Sequence, residues 1–174
     1  MYTFVYNRHR NIKPYDRSKA VQYAHKWAYA RNPVYLDFEN MGGDCTNFAS
    51  QCIFAGSGSM NYTPVYGWYY VSSYNRTASW TGVNYLYDFL VNNKGVGPFA
   101  EVVDVSKAEP GDIAQISFSD SQSFDHSPVI IKTGKPPNRE GIYIAAHTFD
   151  TDYYRLMNFE PAYIRCLHIV GVRE

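Results

Sequence analysis

The sequence predicts an α+β fold, with N-terminal helices packed on one roughly five-stranded antiparallel sheet. Three observations predict it. Apolar residues recur at helical spacing in three segments before Gly95. After Gly95 the texture changes to short β-rich runs separated by Gly, Pro, Asp and Asn. The 174 residues suffice to bury one core without staples, and no repeat, linker or low-complexity segment divides them. One domain over 1–174 is therefore expected.

The first helix is expected over 16–30. Ala20, Val21, Ala24, Trp27 and Ala28 form its inward stripe, Asp16 or Ser18 can cap it, and Asn32-Pro33 stops it. A loop ending in Met41-Gly42-Gly43 leads to a second helix that opens near Asp44 or Cys45 and ends at Gly56-Ser57-Gly58-Ser59. Residues 60–78, rich in Tyr, Ser, Asn and Gly, read as an ordered aromatic loop. A third helix spans 80–93, with Val83, Leu86, Phe89 and Leu90 inward. Strands are expected over 99–105, 112–118, 127–133, 142–149 and 162–172, with Gly134-Lys135-Pro136-Pro137-Asn138 as a hairpin loop. Gly111-Asp112 reads as a structural turn that leads into the second strand.

Composition excludes several function classes. Lys+Arg and Asp+Glu both count 16, so bulk charge drives binding neither to nucleic acid nor to an anionic membrane. No apolar run reaches the roughly 18 to 20 residues of a membrane span. No close Cys/His pairing suggests zinc, and no cofactor motif is present. The three cysteines are too few for a disulfide framework. The first residues lack a secretory signal, which fits a cytoplasmic protein or a domain excised from a secreted or cell-wall one. The 17 tyrosines suit a half-wet cleft for peptides or sugars, and equally suit sheet packing.

The chemistry concentrates at Gly42-Gly43-Asp44-Cys45-Thr46-Asn47. Cys45 falls in the first helical turn, where free N–H groups favour a thiolate and can hold an oxyanion. Asp44 or Thr46 can cap that helix. A small buried cysteine beside a cap is the alternative. Cys52 and Cys166 read as core. A nucleophilic thiolate needs a base, usually His. His9 reads as solvated, His25 as lateral on the first helix, and His168 as a sheet residue. His126 opens one strand and His147 ends the next. A hairpin about 135–138 would make these two near neighbours, as catalytic partners or as a plain cross-strand pair.

Taken together, Tyr15-Asp16-Arg17-Ser18-Lys19-Ala20, the Gly43–Gln51 segment, Asp125-His126 and Ala146-His147-Thr148 give the chain a resemblance to a known family. It resembles the papain-like NlpC-type cysteine peptidases and amidases, and within them the putative amidase domain family. The resemblance implies a papain-like fold and a catalytic triad of Cys45 as nucleophile, His126 as base and His147 as the group that orients it. It also implies Tyr35 at the oxyanion site and Asp44 as a contact for a substrate amine. Thr46-Asn47 stands where those relatives often carry Ser-Gly. The implied reaction is hydrolysis of a peptide or peptidoglycan amide through an acyl-enzyme. Acyl transfer to an amine, and a non-catalytic wall- or glycan-binding module built on Tyr62, Tyr66, Trp68, Tyr69, Tyr70, Tyr74 and Trp80, are the rival readings.

Overall fold

The computed structural model describes residues 11–119 and 123–174. His9 and the first ten residues lie outside them. The chain runs β1 (Ile12–Lys13), α1 (Arg17–Trp27), α2 (Cys45–Ser57), a small hairpin of β2 (Tyr70–Ser72) and β3 (Asn75–Arg76), α3 (Ala78–Thr81) and α4 (Val83–Asn92). The strands β4 (Gly97–Val103), β5 (Ile113–Ser117), β6 (Val129–Lys132), β7 (Tyr143–Ala146), β8 (Thr151–Arg155) and β9 (Tyr163–Arg173) complete it. The architecture is α+β, with a curled, antiparallel, seven-stranded sheet in the order β1-β9-β5-β6-β7-β8, and β4 also pairing with β9.

The five expected strands are all present, and two more join them. Strand β1 is only two residues long, too short for any periodicity to announce it. Strand β8 is an edge with its last three residues exposed, so it carries no apolar alternation. The strand expected to reach 149 stops at Ala146, because Thr148 and Phe149 take φ of 51° and 72°. The helix expected over 80–93 is broken at Gly82, which is extended at φ −114° and ψ 129°. Asp16 caps α1 as expected, accepting the Lys19 N–H at 3.0 Å.

Two cores sandwich the sheet. The larger lies on the helical side and joins Ala20, Ala24, Phe48, Ile53, Trp68, Trp80, Leu86 and Leu90 to Ile113, Val129, Ala145 and Leu167. The smaller lies on the other face and holds Ala114, Ile116, Ile130, Ile144, Ala146, Leu156 and Cys166. Alternation along each strand produces this division. The aromatic segment is split by it. Trp68, Tyr70 and Trp80 are buried in the larger core, while Tyr62, Tyr66 and Tyr74 are exposed.

Helix α2 runs through the middle and is buried on nearly all sides. Its polar residues are therefore all engaged, as burial requires. Ser50 accepts from Trp68 Nε1 at 3.0 Å, Gln51 accepts from the Tyr23 hydroxyl at 2.7 Å, and Asn47 accepts from Trp80 Nε1 at 2.9 Å. Gly56 sits inside this helix because Tyr15 and the chain leading into α1 press on it. A Cβ there would meet the Tyr15 ring and lie 2.8 Å from the Asp16 carbonyl. Gly56→Ala is therefore expected to destabilise by about 1–3 kcal/mol, although Ala is the better helix former by about 1 kcal/mol. A denaturation midpoint at or above wild type contradicts this packing. Among the described residues no helix is long and apolar enough to cross a membrane.

Candidate active site

Gly42 and Gly43, at φ of 103° and 104°, turn the chain sharply into α2. That turn drives Asp44 inward and sets Cys45 as the first residue of the helix. Of the two expected caps, Asp44 takes the N-cap position of α2, but its side chain makes no capping bond. Its carboxylate is fully buried and faces back into the loop. Oδ1 accepts from the Phe38 N–H at 2.9 Å and from Asn47 Nδ2 at 2.8 Å. Oδ2 lies 2.5 Å from His147 Nδ1 and 3.7 Å from Arg31 Nε. A carboxylate with no exposure and this many donors has no free face for a substrate amine. The Asp44 backbone N–H is used too, donating to Thr148 Oγ1 at 2.8 Å.

His147 is held by the same network. Its Nε2 donates to the Trp27 carbonyl at 2.8 Å, and its ring stacks on Phe48 at 4.1 Å. Both ring nitrogens are thus committed, one to Asp44 and one to Trp27. Neither orients His126, so the structure does not assemble the expected Cys45–His126–His147 chain of contacts. The cause is a β-bulge. Strands β6 and β7 do form the expected hairpin, with Val129 opposite Ala145 and Ile130 opposite Ile144. The next pair is Lys132 with Tyr143, so β6 carries one extra residue. A one-residue change of register reverses the face of every side chain beyond it. His147 accordingly stacks on Phe48 on the helical side, whereas His126 pairs with Ile116 where the strand begins. The His126 ring meets Phe159 edge-on at 5.4 Å.

The residue beside His126 connects it to the cysteine. Ser127 is buried against the start of α2, where its Oγ accepts from Thr46 Oγ1 at 3.3 Å and from Gln115 Nε2 at 3.1 Å. Thr46, which bonds it, is the residue after Cys45. The Cys45 sulfur lies 3.7 Å from Thr46 Oγ1. Cys45 is thus buried among polar groups. Cys52 and Cys166 are buried as expected, and all three thiols are free.

Burial sets the electrostatics of the pair. It pushes the Cys45 thiol up, and the Asp44 charge adds to this, against the lowering by Thr46 and by the Ser127 backbone. The depressed thiol expected of a helix N-terminus is absent, because at 7% exposure desolvation outweighs those donors. Burial likewise pushes His126 down to about 4. At neutral pH the resting pair is thiol and neutral imidazole. His126 Nε2 is buried and has no hydrogen-bond partner.

The buried imidazole has a consequence for stability. Between about pH 6.5 and 4 the unfolded chain binds a proton at residue 126 that the folded chain does not. Stability from this group is complete above pH 6.5 and falls as the pH drops, by up to about 3 kcal/mol. His126→Gln is expected to flatten that part of the pH–stability curve measured by urea unfolding. An unchanged slope between pH 7 and pH 4.5 contradicts a buried neutral ring.

Tyr35 is half-buried, stacked on Trp80 at 5.8 Å and edge-on to Tyr70 at 5.1 Å. Burial, then the neighbouring tyrosines, raise its hydroxyl pKa, so it stays a donor. Trp80 in turn bonds Asn47 in the first turn of α2. His25 pairs with Asp152 at 2.9 Å, and His168 with Asp112 at 3.0 Å. Asp112 also binds Arg17 at 2.6 Å, which bears out the structural reading of that turn.

Sequence reasoning missed Ser127, Gln115 and Arg31. The first two carry no motif, and only their position beside His126 and in the buried β5 brings them to Cys45. Arg31 pairs with Asp150 through two bonds of 2.9 Å and lies 3.3 Å from Asp37, closing the Asp44 network from outside. Among the described residues no group of three or more His, Cys, Asp or Glu side chains is placed to hold a metal ion.

Comparison with known proteins places these features in a family. Over 124 residues, 70% of this chain, the sequence is 35% identical to the uncharacterized protein YhbB of Bacillus subtilis, strain 168. The match takes in 38% of that protein's length. No solved structure matches the chain. The family model described as the putative amidase domain matches residues 14–168, which include the Cys45 helix and both hairpin histidines. The chain belongs to the putative amidase domain family.

Proposed function

We propose that this chain is a cysteine-dependent amide hydrolase of the papain-like NlpC type, forming one domain over 1–174, with Cys45 as nucleophile and His126 as general base. The family supports hydrolysis of an amide. The observation that carries the cysteine mechanism is the junction at Ser127. Its hydroxyl bonds Thr46, the residue after Cys45, at 3.3 Å, and the imidazole next to it along the chain has a buried Nε2 with no partner.

In the proposed reaction the sulfur attacks the amide carbonyl as His126 Nε2 takes the thiol proton. The thiolate is formed during attack, since burial disfavours a resting ion pair. The first N–H groups of α2 face the developing oxyanion, and the Tyr35 hydroxyl is the candidate second donor. His126 then protonates the leaving amine and activates the water that releases the acyl group. His147 acts at one remove, holding the Asp44 carboxylate that shapes the turn before Cys45. The substrate is a peptide amide, with cell-wall peptide fragments as the first class to test.

Hydrolysis of such fragments by wild type and by His126→Ala is the test, followed across pH. The wild-type rate is expected to rise as pH rises through about 4, where His126 becomes a free base. His126→Ala is expected to lose about 10²–10⁴-fold. A variant as fast as wild type would sink the assignment.

A further inference from the structure

A cavity of about 470 Å³ opens beside the proposed base, lined by Phe118, Phe149, Asp150, Thr151, Tyr154 and Phe159. Four of these six are aromatic. Phe159 stacks edge-on with Phe149 at 6.4 Å and with Tyr154 at 5.1 Å, so three rings form one continuous wall. Rings this apolar are usually covered, yet Phe149 is 72% exposed, Phe118 45% and Tyr154 37%. Phe149 is also held at φ 72°, a conformation that a bulky residue avoids. The turn therefore presents this ring outward at a conformational cost.

The cavity adjoins the site on two sides. Phe159 touches the His126 ring. The Phe118 N–H donates to Asp125 Oδ2, on the residue before His126, at 2.9 Å. Asp150 is bonded through both oxygens to Arg31, which flanks Asp44. The cavity thus lies against the base and shares its walls with the site's supporting network.

Its charge state narrows the occupant. Both terminal nitrogens of Arg31 are engaged by Asp150, and among the described residues no cation lines the cavity. An acidic side chain would meet a carboxylate and no free positive partner. A neutral ring or branched alkyl group would instead cover exposed aromatic surface, without stranding a charge.

We propose that this cavity is the specificity pocket of the enzyme, and that it selects amide substrates bearing an aromatic or branched aliphatic side chain beside the scissile bond. The inference rests on the hydrolase reading above for turnover, but not for binding. The test therefore has two arms. In the first, N-acetyl 4-nitroanilides of Phe, Leu, Ala and Glu are compared on wild type and on Phe149→Ala. Phe and Leu are expected to exceed Ala by about tenfold or more in kcat/KM, with Glu lowest. Phe149→Ala is expected to bring the Phe-to-Ala ratio to about twofold or less. Tyr74→Ala, a fully exposed ring elsewhere on the surface, should leave the ratio as it was.

In the second arm, N-acetyl-phenylalaninamide, N-acetyl-glutamate amide and N-acetylglucosamine are titrated onto Cys45→Ala by NMR. Only the first should perturb residues around Phe159, and the Phe149→Ala change should weaken it about tenfold or more. Turnover with no side-chain preference and no effect of Phe149→Ala overturns the pocket while leaving the hydrolase standing. Binding with that preference in a chain that turns over nothing keeps the pocket and removes the hydrolase. Tighter binding of the sugar, or of the acidic amide, contradicts the proposed occupant.

Discussion

Asp44→Ala is expected to lose about 3–5 kcal/mol of folding stability, a large part of the about 5–15 kcal/mol that holds an ordinary domain together. The carboxylate has no exposure. Removing it strands the Phe38 N–H and the His147 Nδ1 and takes one of two acceptors from the Asn47 amide, which keeps the Leu36 carbonyl. The stranded groups lose a partner without gaining water. The loop before α2, the first turn of α2 and the end of β7 all meet at this one side chain, so the loss is not local. Asp44→Asn keeps an acceptor for the two Oδ1 donors but places an uncharged amide against His147. It is expected to fall between wild type and Asp44→Ala. Guanidinium unfolding monitored by tryptophan fluorescence measures both. A loss under about 1 kcal/mol for Asp44→Ala contradicts the network's structural role.

Cys45→Ala carries the second large effect. The proposed reaction passes through a thioester on this sulfur, so its removal is expected to reduce amide hydrolysis by at least about 10³-fold. The fold should tolerate the change. Cys45 is small and at the end of a helix, and Ser127 and Thr46 retain their bond to each other. Hydrolysis rates with a matched thermal unfolding scan separate the two effects. Loss of activity with an unfolded chain does not qualify, and retained activity in a folded one contradicts the nucleophile.

The fold was legible where apolar spacing was strong and the elements were long. Ala20, Ala24 and Ala28 announced the buried face of α1, and all three are buried. Leu86, Phe89 and Leu90 did the same for α4. The strands that alternate or lie fully inside were equally visible. What escaped was set by single residues in context. The edge position of β8 leaves its side chains in solvent, so no hydrophobic pattern marks it. The bulge in β6 adds one residue between Ile130 and Lys132, and nothing in a run of isoleucines marks the point of insertion.

That bulge also decided the site. Counting outward from the hairpin loop brings His126 and His147 together. With one added residue the two rings part, His147 stacking on Phe48 and His126 meeting Phe159. The role of the helix N-terminus was misjudged for a different reason. A sequence places Cys45 in the first turn but cannot give its exposure, and burial reverses the sign of the thiol's shift. The Asp44 side chain is likewise drawn from the helix end by Phe38, Asn47 and His147, none of which is near it in any local pattern except Asn47.

The most direct test is intact-mass analysis of the wild-type chain, acid-quenched during turnover of a peptide amide and then mapped by proteolysis. The expected result is a transient acyl mass on the peptide containing Cys45, absent from Cys45→Ala and accumulating less in His126→Ala. Steady turnover with no adduct at Cys45, and unimpaired in Cys45→Ala, would show that the reaction does not pass through this sulfur.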